Sequence, residues 1–237
     1  MYCGERSRDE SGHTTPVLFD LATVRSAMTT FLLIRHALCD PVGHSIAGRH
    51  PGVHLNSTGM RQARSLAERL AGLPLAALYS SPLERAVETA EPIGEILSLP
   101  VQTAEGVNEI DFGEWTGKSL AELDQVPAWR AFNSFRSGTR IPGGENMAEV
   151  LGRSLREMDR LRRLHGGSNS LVAVVSHGDV LRVLVAHTLG MAPDLMQRLE
   201  LSPASVTLVD MDDQGARLLL LNSTGSWPEQ FLTQTPG

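Results

Sequence analysis

Short apolar runs separated by longer amphipathic stretches constrain the fold of this chain more than any other feature. TFLLIR (30–35), LAALYS (75–80) and SLVAVVS (170–176) each have the length and branched, apolar content of a buried strand. Between the first two lies STGMRQARSLAERLAGL, which places Ala63, Leu66, Ala67 and Leu70 on one helical face and Arg61, Arg64 and Glu68 on the other. The next stretch, SPLERAVETA, starts with Ser81 as a candidate N-cap, Pro82 at the first helical position and Glu84 to complete a capping box. A short strand is expected around Val101, an irregular loop through NEIDFGEWTG, a polar helical stretch from Ser119 to Phe135, and a charged helix from about Glu145 to Leu164. GDVLRVLVAHTLG then reads as a helix ending at Gly190, and SVTLVDMD and ARLLLLNS, around DQG, as a terminal pair of strands. Strands alternating with helices predict an α/β fold in three layers, a mostly parallel central sheet flanked by helices on both faces.

No internal repeat or low-complexity linker divides the 237 residues, and 41% hydrophobic content supplies a sizeable core, so residues 28–237 read as one domain. Residues 1–27 are mostly polar without a sustained period and read as a flexible N-terminal extension. A formal charge of -6 without a Lys/Arg cluster speaks against a surface that neutralises nucleic-acid phosphates or docks on acidic lipid. The two cysteines, Cys3 and Cys39, are too few for a disulfide framework. The sequence also shows no run of about 18 apolar residues and no signal-peptide pattern. A cytoplasmic protein is expected, with no membrane or nucleic-acid partner; its oligomeric state is not legible.

In open sheets of this class, ligands sit beyond the carboxyl ends of the strands. That rule gathers several charged or titratable side chains. FLLIRHALCD delivers Arg35 and His36 at the end of one strand, Arg85 lies one helical turn beyond the Ser80-Ser81 end of another, and SHGD puts His177 at the tip of a third. With the free N–H groups of the helix that follows, these residues suit a phosphoryl group. Arginine forks grip its oxygens, and an imidazole, largely neutral near pH 7, can attack phosphorus.

LIRHA, SSPLERAVETA, NEIDFGEWTG, PGGEN and VVSHGDVLR, in that order, resemble the motifs of the histidine phosphatase, or phosphoglycerate-mutase-like, superfamily from about Thr30 to Asn222. The resemblance implies that His36 is the nucleophile that becomes phosphohistidine and that Glu109 is the proton donor to the leaving alcohol. Arg35, Arg85 and His177 would bind the phosphoryl oxygens, and Arg49 and Gly178 would contact substrate. It implies no metal and no other cofactor. The interval between Glu109 and His177 resembles the shorter, small helical cap of the phosphatases rather than the longer basic insertion of the mutases. The expected activity is therefore metal-independent hydrolysis of a small phosphorylated metabolite through a phosphohistidine intermediate, the alternatives being a phosphoglycerate-type phosphomutase and a non-catalytic binder of phosphorylated ligands. Trp115, Trp129 and Phe132 would be apolar walls of the pocket or core of the cap.

The chain also departs from the family's pattern. Ala37, Leu38 and Cys39 stand where many members have Gly-Glu-Thr, and Val42 stands at the position of a phosphate-binding Asn. Two further patterns mislead. GEWTGKS has three residues between its glycines, where a nucleotide-binding phosphate loop needs four. His44, His50 and His54 occupy a turn-rich loop and cannot present a helical metal-binding face.

Overall fold

The computed structural model describes residues 28–166 and 170–225, so the expected N-terminal extension, 1–27, lies outside the described residues. Six strands form one sheet in the order β3-β2-β4-β1-β5-β6. They are β1 (Thr29–Arg35), β2 (Leu75–Ser80), β3 (Val101–Thr103), β4 (Ser170–Ser176), β5 (Val206–Met211) and β6 (Ala216–Ser223). The first four in sequence run parallel to one another, and the β5–β6 hairpin closes one side in the antiparallel sense. This is the mostly parallel sheet expected, with the terminal strand pair accounting for the exception.

The two-residue period of β1 explains the three layers. Leu32 and Ile34 join Leu78, Ala173 and Val175 against one pair of helices, α1 (Ser57–Leu70) and α2 (Glu84–Leu97), through Leu66, Leu70, Ala90 and Ile93. Phe31 and Leu33 point the other way with Tyr79, Val172 and Val174, onto α5 (Met147–His165) and α6 (Gly178–Thr188), through Val150, Met158, Leu161 and Leu184. Burial on both faces is why β1 and β4 read as continuous apolar runs rather than alternating ones.

Three local expectations change. The stretch 119–135 is two short helices, α3 (Leu120–Leu123) and α4 (Pro127–Ser134), because Pro127 cannot continue a helix but suits the start of the next. The capping box proposed for Ser81 and Glu84 is absent: α2 begins only at Glu84, its N-cap is Leu83, and no side chain caps it. The Glu84 carboxylate instead accepts from the N–H of Gly52 at 2.9 Å. Trp115, Trp129 and Phe132 are core, packed ring to ring with centroids 5.3 to 6.3 Å apart, and none of them lines the cleft described below.

The cap is tied to the body through carboxylates. Arg136, just beyond α4, donates to Asp179 Oδ2 at 3.0 Å, and Ser137 donates through its N–H and hydroxyl to Asp194 at 2.8 and 2.7 Å.

Candidate active site

Strand register assembles the centre. β1 and β4 are adjacent and parallel with Arg35 opposite Ser176, so the next residues, His36 and His177, emerge side by side, and the His36 N–H donates to the Ser176 carbonyl at 2.8 Å. On the other side of β4, the N–H of Ser81 donates to the Val175 carbonyl at 2.9 Å, which brings Ser81 beneath His177. The expected residues Arg35, His36, Arg85, Glu109 and Gly178 all line one cleft of about 150 Å³. His177 is fully buried against it, 3.4 Å from Arg85 Nη2 and with its ring centroid 5.2 Å from that of His36. A larger cavity of about 480 Å³, between α5, α6 and the β5–β6 hairpin, contains none of these residues.

The hydrogen bonds settle both tautomers. His36 Nδ1 lies 2.8 Å from the carbonyl oxygen of Ala37, and since a carbonyl can only accept, Nδ1 carries the proton and Nε2 holds the free lone pair. Burial, with the charges of Arg85 and Arg35 added, lowers the His36 pKa to about 3, so the ring is neutral near pH 7. At His177, Nδ1 accepts from Arg85 and Nε2 donates to Ser81 Oγ at 2.7 Å. Burial followed by Arg85 holds His177 well below the usual histidine range. Glu109 Oε2 stands 3.7 Å from His177 Nδ1, and because that imidazole is neutral the two are not an ion pair.

Glu109 is buried deeply enough that desolvation pushes its pKa up to about 6, against the opposing pull of Arg85. Its backbone is held from several directions. Arg153 donates to the carbonyls of Gly106, Asn108 and Glu109 at 2.9, 2.6 and 3.0 Å, and the Ser176 hydroxyl donates to that of Val107 at 2.7 Å. Arg49 is placed here rather than in the cleft lining: its Nε donates to the Glu109 carbonyl at 2.8 Å and its Nη2 to Glu145 Oε2 at 3.0 Å. Its contacts support the loop that carries Glu109.

Two buried guanidinium nitrogens of the cleft, Arg35 Nε and Arg85 Nη1, have no hydrogen-bond partner among the described residues. Arg35 is otherwise fixed by a 2.6 Å bond to the Leu201 carbonyl, and Arg85 by a 2.8 Å bond to that of Gly48. A buried donor left without an acceptor is costly, and an anion in the cleft would satisfy both. Val42 and Cys39 line the same cleft, together with Ile46 and Phe112. Burial raises the Cys39 pKa, so it is present as a thiol, an inert neighbour of the imidazole. No group of His, Cys, Asp or Glu among the described residues could hold a metal ion, and no helix there is long and apolar enough to cross a membrane.

Sequence reasoning missed Ser81 as a partner of His177, Arg153 and Glu145 as supports of the Glu109 loop, and Asp179 and Arg182 as lining residues. For the last two a signal existed. In SHGDVLR, Arg182 is one helical turn beyond Gly178 and therefore on the same side of α6.

Such a site, at the carboxyl ends of parallel strands with one free imidazole lone pair among anion-directed guanidiniums and a carboxyl whose pKa is raised to about 6, defines a phosphoryl-handling enzyme of the phosphatase or mutase kind. The histidine phosphatase superfamily (branch 1) matches residues 31–224, and the chain belongs to it. Phosphoserine phosphatase 1 of Hydrogenobacter thermophilus is 31% identical over 204 residues, covering 83% of this chain and 93% of that protein. The bifunctional protein Rv2228c of Mycobacterium tuberculosis is 34% identical over 208 residues, 85% of this chain, but the chain spans only 56% of its length. In structure, the mycobacterial glucosyl-3-phosphoglycerate phosphatase Rv2419c superposes with a TM-score of 0.74 at 26% identity, over 83% of this chain and 99% of the other.

Proposed function

We propose that the protein is a phosphomonoester hydrolase acting on a small phosphorylated metabolite through a phosphohistidine intermediate, without a metal ion. The observation that carries this reading is the Nδ1–H bond from His36 to the Ala37 carbonyl, which leaves Nε2 unprotonated among the arginines. Arg35 and Arg85 would take the phosphoryl oxygens, with the first N–H groups of α6 behind them, and hold them through the rearrangement of charge. The Nε2 lone pair forms the N–P bond as the P–O ester bond breaks, and protonated Glu109 gives its proton to the departing alkoxide. In the second half, the Glu109 carboxylate takes a proton from water while the water oxygen bonds to phosphorus, the N–P bond breaks, and inorganic phosphate leaves.

The phosphatases among the similar proteins support hydrolysis over isomerisation. The test is phosphate release from a panel of phosphomonoesters in EDTA, with quenched samples assayed for acid-labile phosphoprotein, for the full chain and for a folded His36→Ala variant. Release and labelling by the unaltered protein only are expected. Interconversion of 2- and 3-phosphoglycerate without release would instead identify a mutase, and persistent release by His36→Ala would remove the histidine from the mechanism.

A further inference from the structure

The cleft holds a cation that the transfer chemistry does not use. Arg182 lines it beside Arg35, and the two guanidinium groups meet over Gly178: a β-carbon built there would lie 3.2 Å from Arg35 Nε and 3.4 Å from Arg182 Nη1. Two like charges packed on one glycine repel each other, and burial together with Arg182 lowers the pKa of Arg35. The arrangement is nevertheless held rigidly. Arg182 Nε donates to the Leu199 carbonyl at 2.9 Å and Nη1 to Asp179 Oδ1 at 3.1 Å. Asp179 is itself held by Arg136 and by Gln197 Nε2, so both of its oxygens are occupied. What remains is Arg182 Nη2, which stands 3.9 Å from the largely exposed carboxylate of Glu200, too far for a hydrogen bond.

We propose that Arg182 is a specificity-determining residue that binds a carboxylate on the substrate a few bonds from the phosphoester. The preferred substrates are then phosphomonoesters of small hydroxy acids rather than neutral sugar or polyol phosphates. The proposal rests on the phosphomonoesterase reading and narrows its substrate class. Charge balance selects a carboxylate over a second phosphate. Arg35, Arg85 and Arg182 line the cleft with one buried carboxylate, Asp179, which Arg136 pairs from outside the lining, so three positive charges stay uncompensated there while Glu109 holds its proton. A phosphomonoester dianion neutralises two, and one remains beside Arg182 for a monoanion. The small cleft, lined also by Val42, Ile46 and Phe112, keeps the second anion close to the first.

The test compares 3-phosphoglycerate with glycerol 3-phosphate, which share a three-carbon frame and differ in carboxylate against hydroxymethyl. Binding of each is measured by calorimetry on the catalytically silent His36→Ala chain, with and without Arg182→Met, alongside phosphate release by the chain with His36 intact. The carboxylated ester is expected to bind about 10- to 100-fold more tightly, a preference that Arg182→Met erases while affinity for glycerol 3-phosphate changes less than about threefold. Because Arg182→Met removes packing as well as charge, Glu200→Gln supplies an independent check. Removing that rim carboxylate is expected to tighten 3-phosphoglycerate about two- to threefold and to leave glycerol 3-phosphate unchanged. Equal binding of the two esters, equal losses of both in Arg182→Met, or a larger gain from glycerol 1,3-bisphosphate than from 3-phosphoglycerate overturns the proposal. A binding preference without phosphate release from any ester upholds the subsite and sinks the hydrolase reading instead.

Discussion

The imidazoles of His36 and His177 lie 5.2 Å apart, both buried and both neutral, with the lone pair of the first free on Nε2 and that of the second, on Nδ1, taken by Arg85. Adjacent strands β1 and β4 bring the rings this close, and burial near Arg85 keeps protons off both. Positive charge in the cleft therefore comes from arginines, which do not titrate, so the proposed nucleophile and the anion-binding charge do not compete for one proton.

Replacing Glu109 with Gln removes the proposed proton donor but keeps its shape. Hydrolysis of an alkyl phosphate is expected to fall roughly 10²- to 10⁴-fold, whereas p-nitrophenyl phosphate, whose leaving group needs no proton, loses much less. Steady-state rates for the two esters check this. Equal losses would take the acid role from Glu109.

The pH profile follows from the same carboxyl. With Glu109 near pKa 6, kcat/KM for an alkyl ester should decline as pH rises through about 6, because the unprotonated acid cannot assist departure. His36, near 3, imposes no limb until much lower pH. In Glu109→Gln the decline near 6 should diminish to whatever the ionisation of the substrate itself contributes.

Stability should respond to acid through His36. Its folded pKa lies below the unfolded value of about 6.5, so the unfolded chain binds the extra proton first and native stability falls as pH drops from 6.5 toward 3. Melting temperatures at pH 7 and pH 5 for the unaltered protein and for His36→Gln should show a smaller acid-induced drop in the variant. A parallel drop in both would exclude His36 as a source.

Ser81→Ala leaves His177 Nε2–H buried without an acceptor. The expected cost is about 1–3 kcal/mol of stability and, as the ring loses its fixed tautomer toward Arg85, roughly tenfold in kcat/KM. Ser81→Thr, which keeps a hydroxyl, should recover part of the rate. A silent Ser81→Ala would mean that the ring is oriented by packing alone.

The central strands and both histidines were legible because they coincide with local signals: four consecutive apolar residues ending in Arg-His, and SLVAVVS ending in His. Long-range competition explains most of what was not. Ser81 looks like a cap in its own sequence context, but His177 and Asn108 bind its hydroxyl across the fold. Arg49 sits where a substrate contact was expected, yet the nearer Glu145 carboxylate and Glu109 carbonyl hold it. The break at Pro127 was visible locally and simply outweighed by the polar helical composition around it.

The ties at Arg136 and Ser137 have a consequence for engineering. The parts that would handle phosphorus come from strand ends and the loops and helices that follow them, while the 119–139 segment joins α6 and the turn around Asp194 through side-chain bonds to two carboxylates. No residue of that segment lines the cleft; it reaches it through Asp179, the carboxylate that also holds Arg182. A transplanted cap that retains an arginine for Asp179 and a hydroxyl for Asp194 would keep the anchorage of Arg182 while leaving every residue of the cleft lining in place.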